Sequence, residues 1–319
     1  MQQSIIRIGT RESQLAVWQA TQVKELLLQN GHNAELVFIK SEGDIDLTTP
    51  LYAMGVQGVF TRSLDIALLN HKIDIAVHSM KDVPVQLPQG IEQAAVLKRA
   101  SHKDILVTPP AGVDVLQPKN ILDQFSSPAK GGQAGTIATS SIRRKAQWLH
   151  RFPGTQIENL RGNVNTRLKK LAENNWAGAI FAAAGLERIG LRPANSIDLD
   201  WMLPAPAQGA IMVVCRTKDQ KVYDACNKLN DINTEIAVKA ERGFLSALMG
   251  GCSTPISALA IVKNNSILFK GNIVLPDGSQ KAEVEKIFSI ADYTEAGNIA
   301  AEELLRNGGE EIVKKMQKA

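Results

Sequence analysis

Cysteine, aromatic residues, net charge and long apolar runs are all scarce in this chain, and each scarcity removes a class of protein. The three cysteines, Cys215, Cys226 and Cys252, are odd in number and lack metal-ligand spacing. This excludes a disulfide framework and fits a reduced, cytoplasmic setting. His32, His71, His102 and His150 show no ligand spacing either, so no metal is expected. Aromatics make up 5% of the 319 residues and the net charge is +4, which argues against base-stacking platforms and against a nucleic-acid partner. No apolar run reaches the roughly 18 residues of a membrane span, and residues 1–7 lack a signal-peptide pattern. Internal repeats, low-complexity tracts, a Walker-type glycine loop and a dinucleotide fingerprint are also missing.

What is present is ordinary globular composition, 44% hydrophobic and 21% charged, in a chain long enough for two or three cores. Residues 5–8 read as a strand and 9–13 as a turn. A helix follows, with Leu15, Trp18, Val23, Leu26 and Leu27 on its apolar face and Gly31 as its stop. Residues 34–40 are the next strand, 41–57 a polar loop, and 58–70 an amphipathic stretch leading into the apolar run 73–77. Alternation of this kind predicts right-handed βαβ units and a mostly parallel sheet. Residues 91–97 and 103–108 read as extended runs crossing to a second unit, and 109–135 as loop with one short helix near 121–125. A second series then comes: a strand ending at Ala138, a helix from Ser140, a strand at 156–160, a helix at 163–174 and a strand at 177–183. Residues 203–210 cross back into a buried strand at 211–216. Beyond Asp219 two helices (220–230, 234–248) precede strands near 257–263, 267–275 and 281–289, with Asp277-Gly278 as a turn, a helix at 293–306 and a short tail helix. The spacing predicts a small antiparallel α+β domain.

Chemistry concentrates in a few places. The run 73–77 turns abruptly polar at His78, Ser79, Lys81 and Asp82 and is closed by Pro84. Open parallel sheets bind ligands beyond the carboxyl ends of their strands, so Lys81-Asp82 is placed for chemistry; the alternative is a surface ion pair beside a turn. Thr139-Ser140-Ser141-Ile142-Arg143-Arg144 puts two cations in the first turn of a helix, against its dipole, together with hydroxyls and free N–H groups suited to an anion. Arg161 and Arg167 repeat the arrangement at the next strand end, Arg11 and Ser13 do so near the start of the chain, and Arg188 adds a cation. Several planar guanidinium forks around one cleft imply a ligand with many carboxylates or phosphates; the alternative is solvated helix-end arginines. Cys252, after Gly250-Gly251, reads as a reactive or modified thiol on a tight turn, whereas Cys215 and Cys226 read as small buried hydrophobes. His78 could be a base or a satisfied structural group.

Taken together, Arg7-Ile-Gly-Thr-Arg11-Glu-Ser13, Asp74 to Pro84, Thr139 to Arg144, Leu160-Arg-Gly-Asn-Val164 with Thr166-Arg167, Ala184-Gly-Leu-Glu-Arg188, Gln208-Gly209, and Glu241-Arg242 leading to Gly250-Gly-Cys252 resemble the hydroxymethylbilane synthase, or porphobilinogen deaminase, family over nearly the whole chain. The resemblance implies an α/β protein with two lobes like those of periplasmic binding proteins, joined by two crossing strands, plus a small C-terminal α+β domain. The expected domains are 1–99 with 203–219, 100–202, and 220–319. It implies a dipyrromethane cofactor joined by a thioether to Cys252, onto which four porphobilinogen units are added, ammonia leaving each time, before hydrolysis releases hydroxymethylbilane. On that reading Asp82 would hydrogen-bond the pyrrole N–H groups and stabilise the azafulvene cation formed when substrate loses ammonia. Lys81, Asp82, Ser79, Thr139, Ser141, Arg143, Arg144 and Arg167 would hold the cofactor. Arg11, Ser13, Arg161, Arg167, Arg188 and Phe60 would meet the substrate. The resemblance further implies a monomer and hand-over of product to a following enzyme. Glu42, Gln57 and Arg62-Ser63 depart from the family's usual residues, as does the Ser-Thr that follows Cys252. The rival readings are a non-catalytic two-lobed binding protein for a polycarboxylate and a phosphosugar or nucleotide transferase.

Overall fold

Apolar residues spaced by three and four put Ala16, Ala20, Val23 and Leu27 on the buried face of helix α1 (Gln14–Gln29), which Ser13 caps by accepting a hydrogen bond from the Ala16 N–H at 3.4 Å. The helix covers a sheet whose first strands are β1 (Ile6–Thr10) and β2 (Ala34–Phe38). The computed structural model describes residues 5–40, 61–109, 122, 125, 135–248 and 254–318. The loop at 41–57, Phe60, most of the 109–135 stretch with its expected helix, and Gly250 to Ser253, including Cys252, lie outside the described residues.

The first sheet continues through helix α2 (Arg62–Leu69) into β3 (Ile75–Ser79), β4 (Ile91–Val96) and, from far along the chain, β10 (Ile211–Arg216). Its order is β2-β1-β3-β10-β4. The second sheet holds β5 (Asp104–Val107), β6 (Ile137–Ala138), β7 (Ile157–Glu158), β8 (Gly178–Ala182) and β9 (Ser196–Asp198), in the order β7-β6-β8-β5-β9. Its helices are α3 (Ile142–Arg151), α4 (Val164–Glu173) and α5 (Ala183–Glu187). The two sheets share one plan, and it corrects the expectation of mostly parallel sheets. In each, the strand that arrives from the other lobe is inserted antiparallel: β10 between β3 and β4, β5 between β8 and β9. A strand entering from the opposite lobe runs against the local βαβ direction, so the mixed sheet follows from the crossings. The strand expected at 156–160 is shorter, and the polar edge strand β9 carried no periodicity to announce it. The helix expected from Asn163 begins one residue later because the Asn163 side chain caps it, accepting from the Thr166 N–H at 3.0 Å.

Beyond α6 (Gln220–Asn227) and α7 (Ile232–Ala247), strands β11 (Ile256–Lys263), β12 (Ser266–Val274) and β13 (Lys281–Ser289) form an antiparallel meander. It packs Phe269 and Phe288 against Phe244 of α7. Helix α8 (Ala296–Leu304) begins three residues later than expected, after a 3₁₀ turn at Ile290–Asp292, and α9 (Glu310–Lys318) ends the description. Helix α8 crosses α7 closely at Gly297, where a Cβ would collide with the carbonyl of Ala240.

The crossings run side by side. The Leu97 N–H donates to Ile211 O at 3.0 Å and the Ala100 N–H to Gly209 O at 3.1 Å. Gly209 has φ +87° and a Cβ there would stand 2.6 Å from Ser101 O, so only glycine fits. One carboxylate binds this hinge to the third unit. Glu241 on α7 is fully buried and accepts from Arg99 Nη1 (2.5 Å) and Nη2 (3.1 Å), from the Ala207 N–H (2.6 Å) and from the Ala260 N–H on β11 (2.7 Å). Its neighbour Arg242 donates to the carbonyls of Val83 (2.9 Å), Pro84 (2.6 Å) and Val85 (3.1 Å), fastening the segment after Lys81-Asp82. Removing one partner of a buried ion pair costs about 3–5 kcal/mol. Glu241→Ala is therefore expected to lose that much stability in chemical denaturation, with Lys270→Ala, at an exposed pair, as a near-neutral control.

Candidate functional site

Strand β3 is buried through His78 because it sits in the middle of its sheet, and its carboxyl end delivers Ser79 and a 3₁₀ turn, Met80–Asp82, to the hinge. Burial, reinforced by the charge of Arg11, pushes His78 down to about 3. The imidazole is thus neutral at physiological pH, and its Nε2 has no hydrogen-bond partner; nothing poises it as a base. Ser79 Oγ instead exchanges hydrogen bonds with Gln19 of α1: it accepts from Nε2 at 2.9 Å and donates to Oε1 at 3.3 Å. Arg11, Gln19, Thr61, His78, Ser79 and Asp82 line one opening.

Lys81 is half-buried beside this opening and donates to Gln208 Oε1 at 3.2 Å. Burial and then Arg144, with a smaller push from Arg143, lower its pKa to about 8 against the opposing pull of Asp82 and Asp104. Lys81 also lines a second opening with Ser141, Arg143, Pro206, Arg242 and Thr254. In it the first lobe, the second lobe, the hinge and the start of the third unit all meet.

Helix α3 begins at Ser141, whose Oγ accepts from the Arg144 N–H at 3.5 Å, while Thr139 Oγ1 accepts from the Ser141 N–H at 3.2 Å. Both hydroxyls accept backbone N–H groups at the start of the helix, which orients them and leaves their O–H donors uncommitted by these bonds. A third, Ser140 Oγ, accepts from the Leu160 N–H at 2.8 Å.

Arg143 and Arg144 are buried, and both point at Asp104, the first residue of β5. Arg143 Nη2 donates to Asp104 Oδ2 at 2.7 Å, and Arg144 Nη2 and Nε to Oδ1 at 2.8 and 3.1 Å. Gln208 Nε2 adds a bond to Oδ1 at 3.0 Å, so one carboxylate orders both arginines and the amide that holds Lys81. These are neither solvated helix-end arginines nor free forks. Their cost against the helix dipole is met by a carboxylate from another strand. Arg143 still has a buried Nε with no hydrogen-bond partner.

Further along, Arg167 Nε donates to Gly162 O at 2.8 Å, and burial, then Arg144, with a weaker push from Arg161, bring Arg167 down to about 10 despite Asp82. Arg161 is buried at the same strand end. Arg188 Nη2 donates to Gly209 O at 2.7 Å and its guanidinium lies over Trp18, 5.6 Å from the ring centroid. Ser13 is the cap of α1. The structure thus gathers Lys81, Asp82, Arg143, Arg144, Arg161 and Arg167 into one cluster in which cations outnumber carboxylates, and places Arg188 at the seam between lobes.

Asp104, Gln19 and Gln208 are the residues that sequence reasoning passed over as site residues. Gln19 could have been noticed as a polar side chain on the apolar face of α1, and Asp104 as an acid opening an otherwise apolar strand. Among the described residues no group of three or more His, Cys, Asp or Glu side chains could hold a metal, and no helix is long and apolar enough to cross a membrane.

Burial pushes Asp104 up, but Arg143, Arg144 and Lys81 outweigh it and hold the carboxyl at about 2, below its ordinary 3.8. A carboxylate depressed on folding stabilises fully above its unfolded pKa and ceases to do so as pH falls through the folded value. Asp104→Asn is expected to cost about 3–5 kcal/mol at neutral pH. It should also show a smaller loss of stability than the parent between about pH 4 and pH 2, measured by denaturant titration at each pH.

Comparison with known proteins gives the following. The family model described as porphobilinogen deaminase, dipyromethane cofactor binding domain, matches residues 6–224, and the porphobilinogen deaminase C-terminal domain matches residues 235–306. Porphobilinogen deaminase of a Nitratiruptor species is 38% identical over 318 residues, covering 98% of this chain and 97% of that one. The protein of the same name from Syntrophotalea carbinolica is 39% identical over 317 residues, covering 98% and 96%. Among solved structures, the methionine binding protein MetQ overlays with a TM-score of 0.42 at 13% identity, over 70% of this chain and 89% of that one.

Proposed function

This chain belongs to the porphobilinogen deaminase family, and on that premise we propose that it joins porphobilinogen units head to tail on a dipyrromethane held by Cys252. Ammonia leaves at each of four additions, and hydrolysis yields hydroxymethylbilane. The observation that carries the reading is the opening shared by Lys81, Ser141, Arg143 and Thr254. It combines cationic donors from both lobes with the segment that follows Cys252 by two residues in the chain.

The donor set fits the family's cofactor. A dipyrromethane bearing acetate and propionate groups is a polyanion, and Lys81 and Arg167, both half-buried, together with the buried Arg143, Arg144 and Arg161 supply cations for it. The unpartnered Nε of Arg143 is one donor that such a ligand would satisfy. When bound, the cofactor supplies the nucleophilic pyrrole carbon that starts the chain. Asp82 accepts hydrogen bonds from pyrrole N–H groups and stabilises positive charge as the substrate loses ammonia. A fixed carboxylate in a site shielded from water is worth more to that charge than solvent would be. Arg11 shares an opening with Asp82 and receives a substrate carboxylate, with Ser13 nearby at the start of α1. On the family's pattern alone, Cys252 is assigned the thioether to the cofactor and Phe60 a part in binding substrate.

In the same reading the chain divides into residues 1–99 with 203–219, residues 100–202 and residues 220–319. The protein works as a cytoplasmic monomer and passes its product to a following enzyme. A non-catalytic polycarboxylate binder would leave the Asp82 carboxylate without a task.

Asp82→Asn, carrying the full cofactor mass, should lose at least about 10²-fold in kcat with little change in KM, read by single-turnover assay and intact-protein mass. Cys252→Ser should show no added mass. Lys81 must be protonated to pair with a cofactor carboxylate, so loading of the cofactor onto apoprotein, read by intact-protein mass, should fall above about pH 8, and Lys81→Arg should flatten that fall.

A further inference from the structure

Helix α1 of the first lobe touches the second lobe at three places. Asn165 Nδ2 of α4 donates to Gln14 Oε1 at 3.0 Å. Gly185 of α5 packs beneath Leu15, whose Cδ2 would be 3.6 Å from a Cβ there. The guanidinium of Arg188, just after α5, lies over the Trp18 ring and donates to the hinge carbonyl of Gly209. Arg188 therefore joins the second lobe to the first lobe and to the crossing strands at once.

Its two partners are electrically neutral. The carboxylate beside it in sequence, Glu187, accepts from Arg192 Nη1 at 2.6 Å. The half-buried guanidinium sits on a ring face and a carbonyl. Arginine pairs more strongly with a carboxylate, in a two-donor, charge-assisted geometry, than with a neutral carbonyl. A ligand that accumulates carboxylates would compete for Arg188, and the chain it belongs to needs more room as it lengthens.

We propose that Trp18 is a positioning residue that parks Arg188 in a clasp closing the two lobes, and that a carboxylate of the growing pyrrole chain draws Arg188 out and lets the lobes part. This rests on the polymerising function above for its ligand, but the clasp itself is made by protein groups alone.

The test uses full-length holoenzyme with spin labels at Gln29→Cys and Lys169→Cys, exposed positions on α1 and α4, and pulsed distance measurement between them. Trp18→Leu is expected to lengthen and broaden the distance distribution without substrate, Trp18→Phe to keep it, and Arg188→Met to reproduce Trp18→Leu. The effects of Trp18→Leu and Arg188→Met on the unfolding equilibrium should be non-additive by about three- to tenfold, the range of a partly desolvated cation–π contact. Loading the parent with porphobilinogen should move its distribution toward that of Trp18→Leu. An unchanged distribution in Trp18→Leu, or additive stabilities, would overturn the clasp. A loaded parent that forms product without a distance change would overturn the release step. A parent that forms no product defeats the polymerase reading, and the distances measured without substrate still decide the clasp.

Discussion

Asp104 is the constraint on which the site depends. Arginines on the first turn of a helix repel the helix dipole and each other, and in a dry site that repulsion is strong. A single fully buried carboxylate, reached by forks from Arg143 and Arg144 and by the amide of Gln208, makes the cluster tolerable. It does so without neutralising it. With Lys81, Arg161 and Arg167 nearby, cations still outnumber the carboxylates Asp104 and Asp82 in the cluster. The side chains of the arginine pair are thus held in place by one acid.

The position of that acid ties the site to the hinge. Asp104 opens the strand that crosses from the first lobe, and Gln208 lies in the turn that leads back into β10. Gln208 bonds Asp104 with its amide nitrogen and Lys81 with its amide oxygen. Its own carbonyl accepts from Arg99 at 2.8 Å, and Arg99 forks onto Glu241. A chain of charge-assisted bonds thus runs from the Lys81-Asp82 turn through both crossings to the third unit. Helix α3 is held from the other end as well. Gln147 donates to Leu203 O and Ser257 Oγ, both at 3.0 Å, and a 2.8 Å hydrogen bond joins His150 Nδ1 to the carbonyl of Gly278. The third unit consequently braces the helix that presents Arg143 and Arg144. The α1 seam, by comparison, is made of one amide pair, Leu15 on Gly185 and one cation over a ring.

Much of this could be read from residues alone. The alternation of strands and helices, the caps at Ser13 and Asn163, the polar break after Val77 and the antiparallel meander with its Asp277-Gly278 turn are all local patterns. The arginines at strand ends were visible because they break a local rule, and a broken rule marks a site. The direction of their side chains was not visible. Arg143 and Arg144 read as forks open to a ligand, because spacing cannot say what lies across the cleft. The mixed character of both sheets was hidden for the same reason: whether a strand pairs parallel or antiparallel depends on which lobe it came from.

Sequence by itself determined the elements, their order, the stock of cations and the turn that carries Lys81 and Asp82, since periodicity, capping and turn chemistry act over a few residues. Only the tertiary structure decided which acid answers those cations. Asp104 lies 39 and 40 residues from its two arginines, and Gln208 lies 104 from Asp104. Partners at such separations are chosen by strand order and by the crossing of the chain between lobes, and no local pattern encodes that choice.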